Sequence, residues 1–192
     1  RAVCDIAAPG VLLKAEAIVP ARELRPYFGL RDDTAVEAGA RTDHEARRDI
    51  GDECHLAYHS TLMAALWAAL AEGRGDLLAD IVAQTPALPS ACGWLTYLRC
   101  HDDIGWSALR EEAAGDEKRA PFDLARIARF YNGETPNGYA RGRAFQSAGG
   151  DHVHGTNGTT AGLTGIEAAL ERGDAAALAL AERRYLLLYG IV

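Results

Sequence analysis

Three apolar runs without internal proline constrain this chain more than any other feature: VLLKAEAI at 11–18, ECHLAY at 53–58 and GWLTYLRC at 93–100. The first and third are nearly continuous in apolar residues, the pattern of strands in a parallel sheet covered by helices. Between the second and third lies STLMAALWAALAEGRGDLLADIVAQ. There Leu62, Leu66, Ala69 and Leu70 recur at helical spacing, Ser60 or Thr61 can cap the start, and Gly73 and Gly75 allow a break before a second helix from Asp76. Strand, helical crossover and strand make a βαβ unit, right-handed in a parallel sheet. The expected fold class is therefore α/β.

The first run carries two charges. In a strand, Val11, Leu13, Ala15, Ala17 and Val19 share one wholly apolar face, while Leu12, Lys14, Glu16 and Ile18 share the other. An ionised carboxylate near the end of a buried strand is costly unless it is paired or faces a polar cavity. Glu16 is thus either half of a structural pair with Lys14 or a group placed for chemistry.

Downstream of the first run, PARELRPYFG reads as a short helix, and the polar stretch from Arg31 to Gly51 as a surface loop or small insertion. Residues 104–160 hold Trp106, a helix around PFDLARIARFY and a long Gly- and Asn-rich connection, of the kind that is usually functional. A helical stretch from Ala161 to about Tyr189 has a break at Arg172-Gly173-Asp174, where Asp174 can cap the second half. The division expected is 1–103, 104–160 and 161–192. The start at Arg1 and the apolar finish YLLLYGIV lead us to expect a piece of something larger.

Charge and composition exclude several functions. Asp and Glu outnumber Lys and Arg by 27 to 20, a net charge of −7, so a phosphate-backbone binder is not expected and nucleic acid is excluded as a partner. The apolar runs stop well short of the ~20 residues a membrane helix needs, so no membrane partner is expected and a cytoplasmic location is. Cys4, Cys54, Cys92 and Cys100 lack the close spacing of metal sites and read as free, buried thiols; no metal and no cofactor is expected. Trp67 reads as helix core. Walker A, G-x-S-x-G and G-x-G-x-x-G motifs are absent.

The second notable feature is LRCHDDIGW at 98–106, which sets His101, Asp102 and Asp103 at the end of a strand-like run. In parallel α/β folds the carboxyl ends of strands form the mouth where ligands bind, so Glu16 and Asp102 are expected on one rim. Two carboxylates with a histidine and a lysine beside them suit cleavage of a glycosidic bond: a protonated acid for the leaving oxygen, and anionic groups for the oxocarbenium-like transition state. His101-Asp102 also spells the His-Asp signature of metal-dependent phosphohydrolases, with His55 and His59 as further ligands, but such a pair belongs on a helix. His152 and His154 could hold a metal or line a sugar-binding loop.

The segments KAEAIVP, ECHLAYHSTLMAALW, WLTYLRCHDDIGW, ARGRAFQ and GTTAGLTGIE, in this order, resemble the amylosucrase-like branch of glycoside hydrolase family 13, the α-amylase family, along nearly the whole chain. The resemblance implies a partial (β/α)8 barrel, about strands five to seven with their helices, and a loop-rich and helical insert after the seventh strand that covers the active-site rim. It implies that Glu16 is the general acid/base, Asp102 the transition-state stabiliser and His101 a sugar-binding partner. Asp103 is implied beside the leaving group or acceptor, and Gln146 in an active-site-facing AFQ motif. The implied enzyme is a retaining α-glucoside-active hydrolase or transglucosidase acting on sucrose, with glucose and maltooligosaccharides as further carbohydrate partners.

The family's nucleophilic aspartate would precede residue 1 and its eighth strand would follow Val192. Since the retaining route needs nucleophile and acid about 5 to 5.5 Å apart, the 192 residues alone are expected to be inactive. GGDHVHGTNG stands where amylosucrases carry GDxRxSG, leaving hydrolysis and glucan transfer equally open. A non-catalytic sugar-binding or assembly relative is the alternative reading.

Overall fold

The computed structural model describes residues 1–30, 53–145 and 155–192, and the chain packs as two compact units. The first comprises Arg1–Ser60 and Gln84–Thr96; the second comprises Thr61–Ala83 and Tyr97–Val192.

The first unit is built on three parallel strands, β1 (Lys14–Ala15), β2 (Leu56–Tyr58) and β3 (Gly93–Leu95), in that order. Ala15 stands opposite Ala57, and Ala57 opposite Trp94. The parallel arrangement matches the expectation from the three apolar runs, but the strands are much shorter. The reason lies in β2. The Cys54 amide is drawn off to the Tyr27 carbonyl at 2.9 Å, and a helix starts at Ser60, so β2 offers only three residues to its neighbours. The two-residue alternation outlasts the ladder: Leu12, Lys14, Glu16 and Ile18 are all exposed, while Ala15 is buried and Leu13, Ala17 and Val19 are partly so.

The expected short helix is a 3-10 helix, Ala21–Phe28, ended by Gly29 at φ 79°. It buries Leu24 and Phe28 against Ala15, Leu30 and Ala57, and the Phe28 ring meets Trp94 edge to face at 5.5 Å. Burial of a Leu or Phe side chain contributes about 1.5–3 kcal/mol, so these two anchor the unit's small core. The predicted polar loop, 31–51, lies outside the described residues.

Helix Ser60–Glu72 is buried along its whole first half, from Ser60 to Ala68. It is apolar on every side rather than on one stripe, the signature of a core helix. Its Trp67 has no exposed surface and packs edge to face on Tyr131 at 5.4 Å; Tyr131 also stacks with Trp106 at 5.9 Å. Around these three rings gather Leu66, Leu77, Leu98, Ile104 and Ile127.

The second unit contains a sheet that the sequence does not announce. β4 (Ile104–Gly105), β6 (Gly155–Asn157) and β5 (Arg143–Phe145) pair antiparallel in that order, within the stretch expected to be loop-rich and helical. Its backbone passes close to its neighbours: a Cβ on Gly142 would collide with the Tyr131 carbonyl oxygen, and one on Gly158 would stand 2.8 Å from Leu163 Cδ2. The helix expected around 121–131 runs Leu124–Tyr131, capped by Asp123, which accepts from the Arg126 amide.

The C-terminal helical stretch breaks twice. Helices Thr160–Thr164, Ile166–Arg172 and Ala175–Tyr189 are separated at Gly165 and Gly173, both with positive φ. Asp174 caps the last as expected, accepting from the Ala177 amide at 2.9 Å. No helix among the described residues is long and apolar enough to cross a membrane.

Candidate functional site

Glu16 belongs to the first unit, one residue beyond β1. Its carboxylate is 46% exposed and lies 3.6 Å from the Lys14 ammonium, which in turn donates to the Tyr58 hydroxyl at 2.6 Å and sits 3.9 Å from that ring's centroid. The hydrogen bond to Tyr58 is the main cause that raises the Lys14 pKa, and Glu16 adds to it. The pairing read from the sequence is therefore present. The premise of a costly buried charge is not met, because the face that carries Glu16 is open.

His101, Asp102 and Asp103 belong to the second unit. They do not follow a strand directly: β3 ends at Leu95 and the chain leaves sheet geometry before reaching them. The diversion has identifiable causes. The Leu98 carbonyl accepts from Trp67 Nε1 at 3.0 Å, and Leu98 is buried in the core. Arg99 then donates through Nε to the Gly158 carbonyl at 2.9 Å and through Nη2 to the Asp102 carbonyl at 2.7 Å. The turn is thus held by a side chain where the sequence suggested a strand end.

Within this turn His101 is 66% exposed and Asp102 39%, with Nε2 and Oδ2 3.8 Å apart. The Asp102 amide donates to Cys100 Sγ at 3.4 Å. Asp103 is turned toward β6. Its carboxyl hydrogen-bonds the Asn157 side chain, and its Cβ lies 3.3 Å from where a Cβ on Gly155 would stand. Burial pushes the Asp103 pKa up, against the opposing charge of Arg99. Asp103 Oδ1 and Arg99 Nη1 are both buried without a hydrogen-bond partner among the described residues. Burial also lowers the Arg99 pKa.

The turn therefore combines a tethered backbone with two outward-facing groups. His101 and Asp102 face outward, whereas Asp103 is committed to the adjoining strand. Gln146, His152 and His154 lie outside the described residues. Two contributors went unnoticed in the sequence, Arg99 and Asn157. The sequence does carry a signal for Arg99: a single arginine inside the apolar run WLTYLRC must find partners for its five N–H donors.

The ligand set weighed for a phosphohydrolase fares poorly. His55 Nδ1 accepts from the Leu13 amide at 3.0 Å, and His59 shares a 2.8 Å hydrogen bond with Thr85 Oγ1. Both rings serve the first unit's own structure. The four cysteines are free thiols, partly rather than fully buried.

Part of the chain is similar to known enzymes. No family model matches the chain. Over 112 residues, 58% of the chain, it is 31% identical to the trehalose synthase/amylase TreS of Mycolicibacterium smegmatis and, equally, to that of Mycobacterium tuberculosis. Over 71 residues it is 32% identical to the trehalose synthase of a Pimelobacter species. The matched stretch covers 16% of the mycobacterial proteins, so the chain spans about a sixth of their length. These relatives are trehalose synthases, the mycobacterial ones also amylases, and they do not single out the amylosucrase branch.

Proposed function

We propose that this chain is the acid/base-bearing part of a retaining α-glucoside-active enzyme of the α-amylase family, with sucrose as the leading donor. The observation that carries the reading is the His101-Asp102 pair, exposed side by side on a tethered turn, in a chain similar to trehalose synthase/amylases. In this reading the parallel sheet is a segment of a (β/α)8 barrel wall.

The chemistry follows from the groups. Glu16, protonated, gives its proton to the glycosidic oxygen as the bond to the anomeric carbon breaks; as carboxylate it then takes a proton from water or an acceptor hydroxyl. The Lys14 ammonium, 3.6 Å away, holds the carboxyl group in position. Asp102 and His101 bind the hydroxyls of the glucosyl ring, and the Asp102 charge offsets the positive charge that develops there. Gln146 serves the leaving group or acceptor, while Asp103, hydrogen-bonded to Asn157, braces the turn. The nucleophile comes from outside these 192 residues.

The test uses the intact protein. Glu16→Gln should cost about 10²–10⁴-fold on sucrose, whose leaving group needs protonation, and much less on an aryl α-glucoside with a good leaving group. Equal losses on both substrates would count against Glu16 as the acid. Asp102→Asn should depress both alike, because it acts on the ring and not on the leaving group.

A further inference from the structure

Cys100, His101 and Asp102 bring three chemically different ligand atoms together: a thiol sulfur, an imidazole nitrogen and a carboxylate oxygen, all within 4.8 Å of one another. We propose that this tripeptide is a binding site for a thiophilic divalent cation of the zinc type. The donor set selects the ion. Thiolate and imidazole suit Zn²⁺ and its neighbours, whereas Mg²⁺ and Ca²⁺ take oxygen ligands.

The three ligand atoms are close enough for small side-chain rotations to bring them onto one ion. With zinc–sulfur bonds of about 2.3 Å and zinc–nitrogen bonds of about 2.0–2.1 Å, ligand atoms on a tetrahedron stand roughly 3.2–3.7 Å apart. His101 Nε2 and Asp102 Oδ2 are already 3.8 Å apart. The Asp102 amide donates to Cys100 Sγ at 3.4 Å and orients it, as outer hydrogen bonds do in metal sites. Arg99, bonded to the Asp102 carbonyl, keeps the turn in place, and Asp103 next to it offsets the guanidinium charge. Thiolate and carboxylate together neutralise a divalent ion; the thiol proton is released to solvent. The three side chains leave a fourth position open to water.

The site has a functional consequence that rests on the proposed role of Asp102. A bound ion removes that carboxylate from the sugar, so the cation acts as a reversible inhibitor competing with substrate.

The binding claim is tested without activity. Co²⁺ added to this chain should give one equivalent of a tetrahedral complex with a thiolate-to-cobalt charge-transfer band in the near ultraviolet, displaced by Zn²⁺. Cys100→Ser should abolish the band, while His101→Gln and Asp102→Asn should keep it and weaken binding by at least about tenfold. Circular dichroism of the variants, unchanged from the parent, guards against loss by misfolding. A missing band, a band that survives Cys100→Ser, or affinity indifferent to both His101→Gln and Asp102→Asn would overturn the site. Metal binding without inhibition of the intact enzyme would leave the site standing and count against the role of Asp102.

Discussion

Arg99 and Asp102 are joined through the backbone: the guanidinium Nη2 donates to the Asp102 carbonyl at 2.7 Å while Nε of the same group holds the Gly158 carbonyl. One side chain thereby ties the His-Asp turn to the end of β6. Arg99→Met should cost roughly 2–3 kcal/mol in urea unfolding, since two carbonyls lose a charged donor. Arg99→Lys should recover only part, having no planar fork with which to reach both. Unchanged stability of the methionine variant would show that the turn holds itself.

Thr156 occupies the centre of a relay. Its hydroxyl, fully buried, accepts from Trp106 Nε1 at 2.9 Å and donates to Oδ1 of the partly buried Asn132 at 2.8 Å. Thr156→Val keeps the shape and strands both partners, so it should destabilise by about 1–3 kcal/mol. Thr156→Ser, which keeps the hydroxyl, should lose less; equal losses would place the effect in packing.

His59 makes stability depend on pH. Burial lowers its pKa from 6.5 to about 4. The folded state therefore holds a neutral ring where the unfolded chain binds a proton. Stability is complete above pH 6.5, falls as pH drops from there toward 4, and is level below, a contribution of roughly 3 kcal/mol in all. His59→Gln should flatten that part of the stability profile, measured by denaturant unfolding at pH 7.5 and pH 5. An unaltered slope would assign the pH dependence to other groups.

Gly142 is a packing requirement and Gly75 is not. A Cβ on Gly142 would collide with the Tyr131 carbonyl oxygen and fall 2.8 Å from that of Asn157, whereas nothing among the described residues lies within 4 Å of one on Gly75. Gly142→Ala should cost about 1–3 kcal/mol or more. Gly75→Ala, which touches only the start of a helix, should stay within about 1 kcal/mol. Comparable melting temperatures for the two variants would contradict the close approach.

What could be read from the sequence was what local pattern encodes. The alternation around Glu16, the parallel strands, the break before Asp76 and the Asp174 cap each follow from a few neighbouring residues. The second sheet was hidden because its strands are two or three residues long, IG, RAF and GTN, too short for a period to register. Its partners are also distant in sequence, so that Trp106 finds Thr156 fifty residues away. The break at Gly165 was hidden likewise, since its positive φ and the ring of Tyr139, 2.9 Å from a Cβ there, both arise from the fold. At the candidate site, the residue types were legible and their exposure was not: Glu16 pairs with Lys14 as its spacing suggested, but on an open face.

The three tryptophans divide between the units, Trp94 in the first and Trp67 and Trp106 in the second. Trp67 and Trp106 sit on one tyrosine in a dry interior, while Trp94 lies against Phe28 and the imidazole of His59, 5.0 Å away. The molecule thus carries a separate intrinsic fluorophore for each unit. Replacing Trp94 with Phe silences one half, and replacing the other pair silences the second. Emission then reports whether the parallel-sheet unit and the His-Asp unit melt as one body or in succession, and the neighbouring histidine gives the Trp94 signal a built-in sensitivity to protonation.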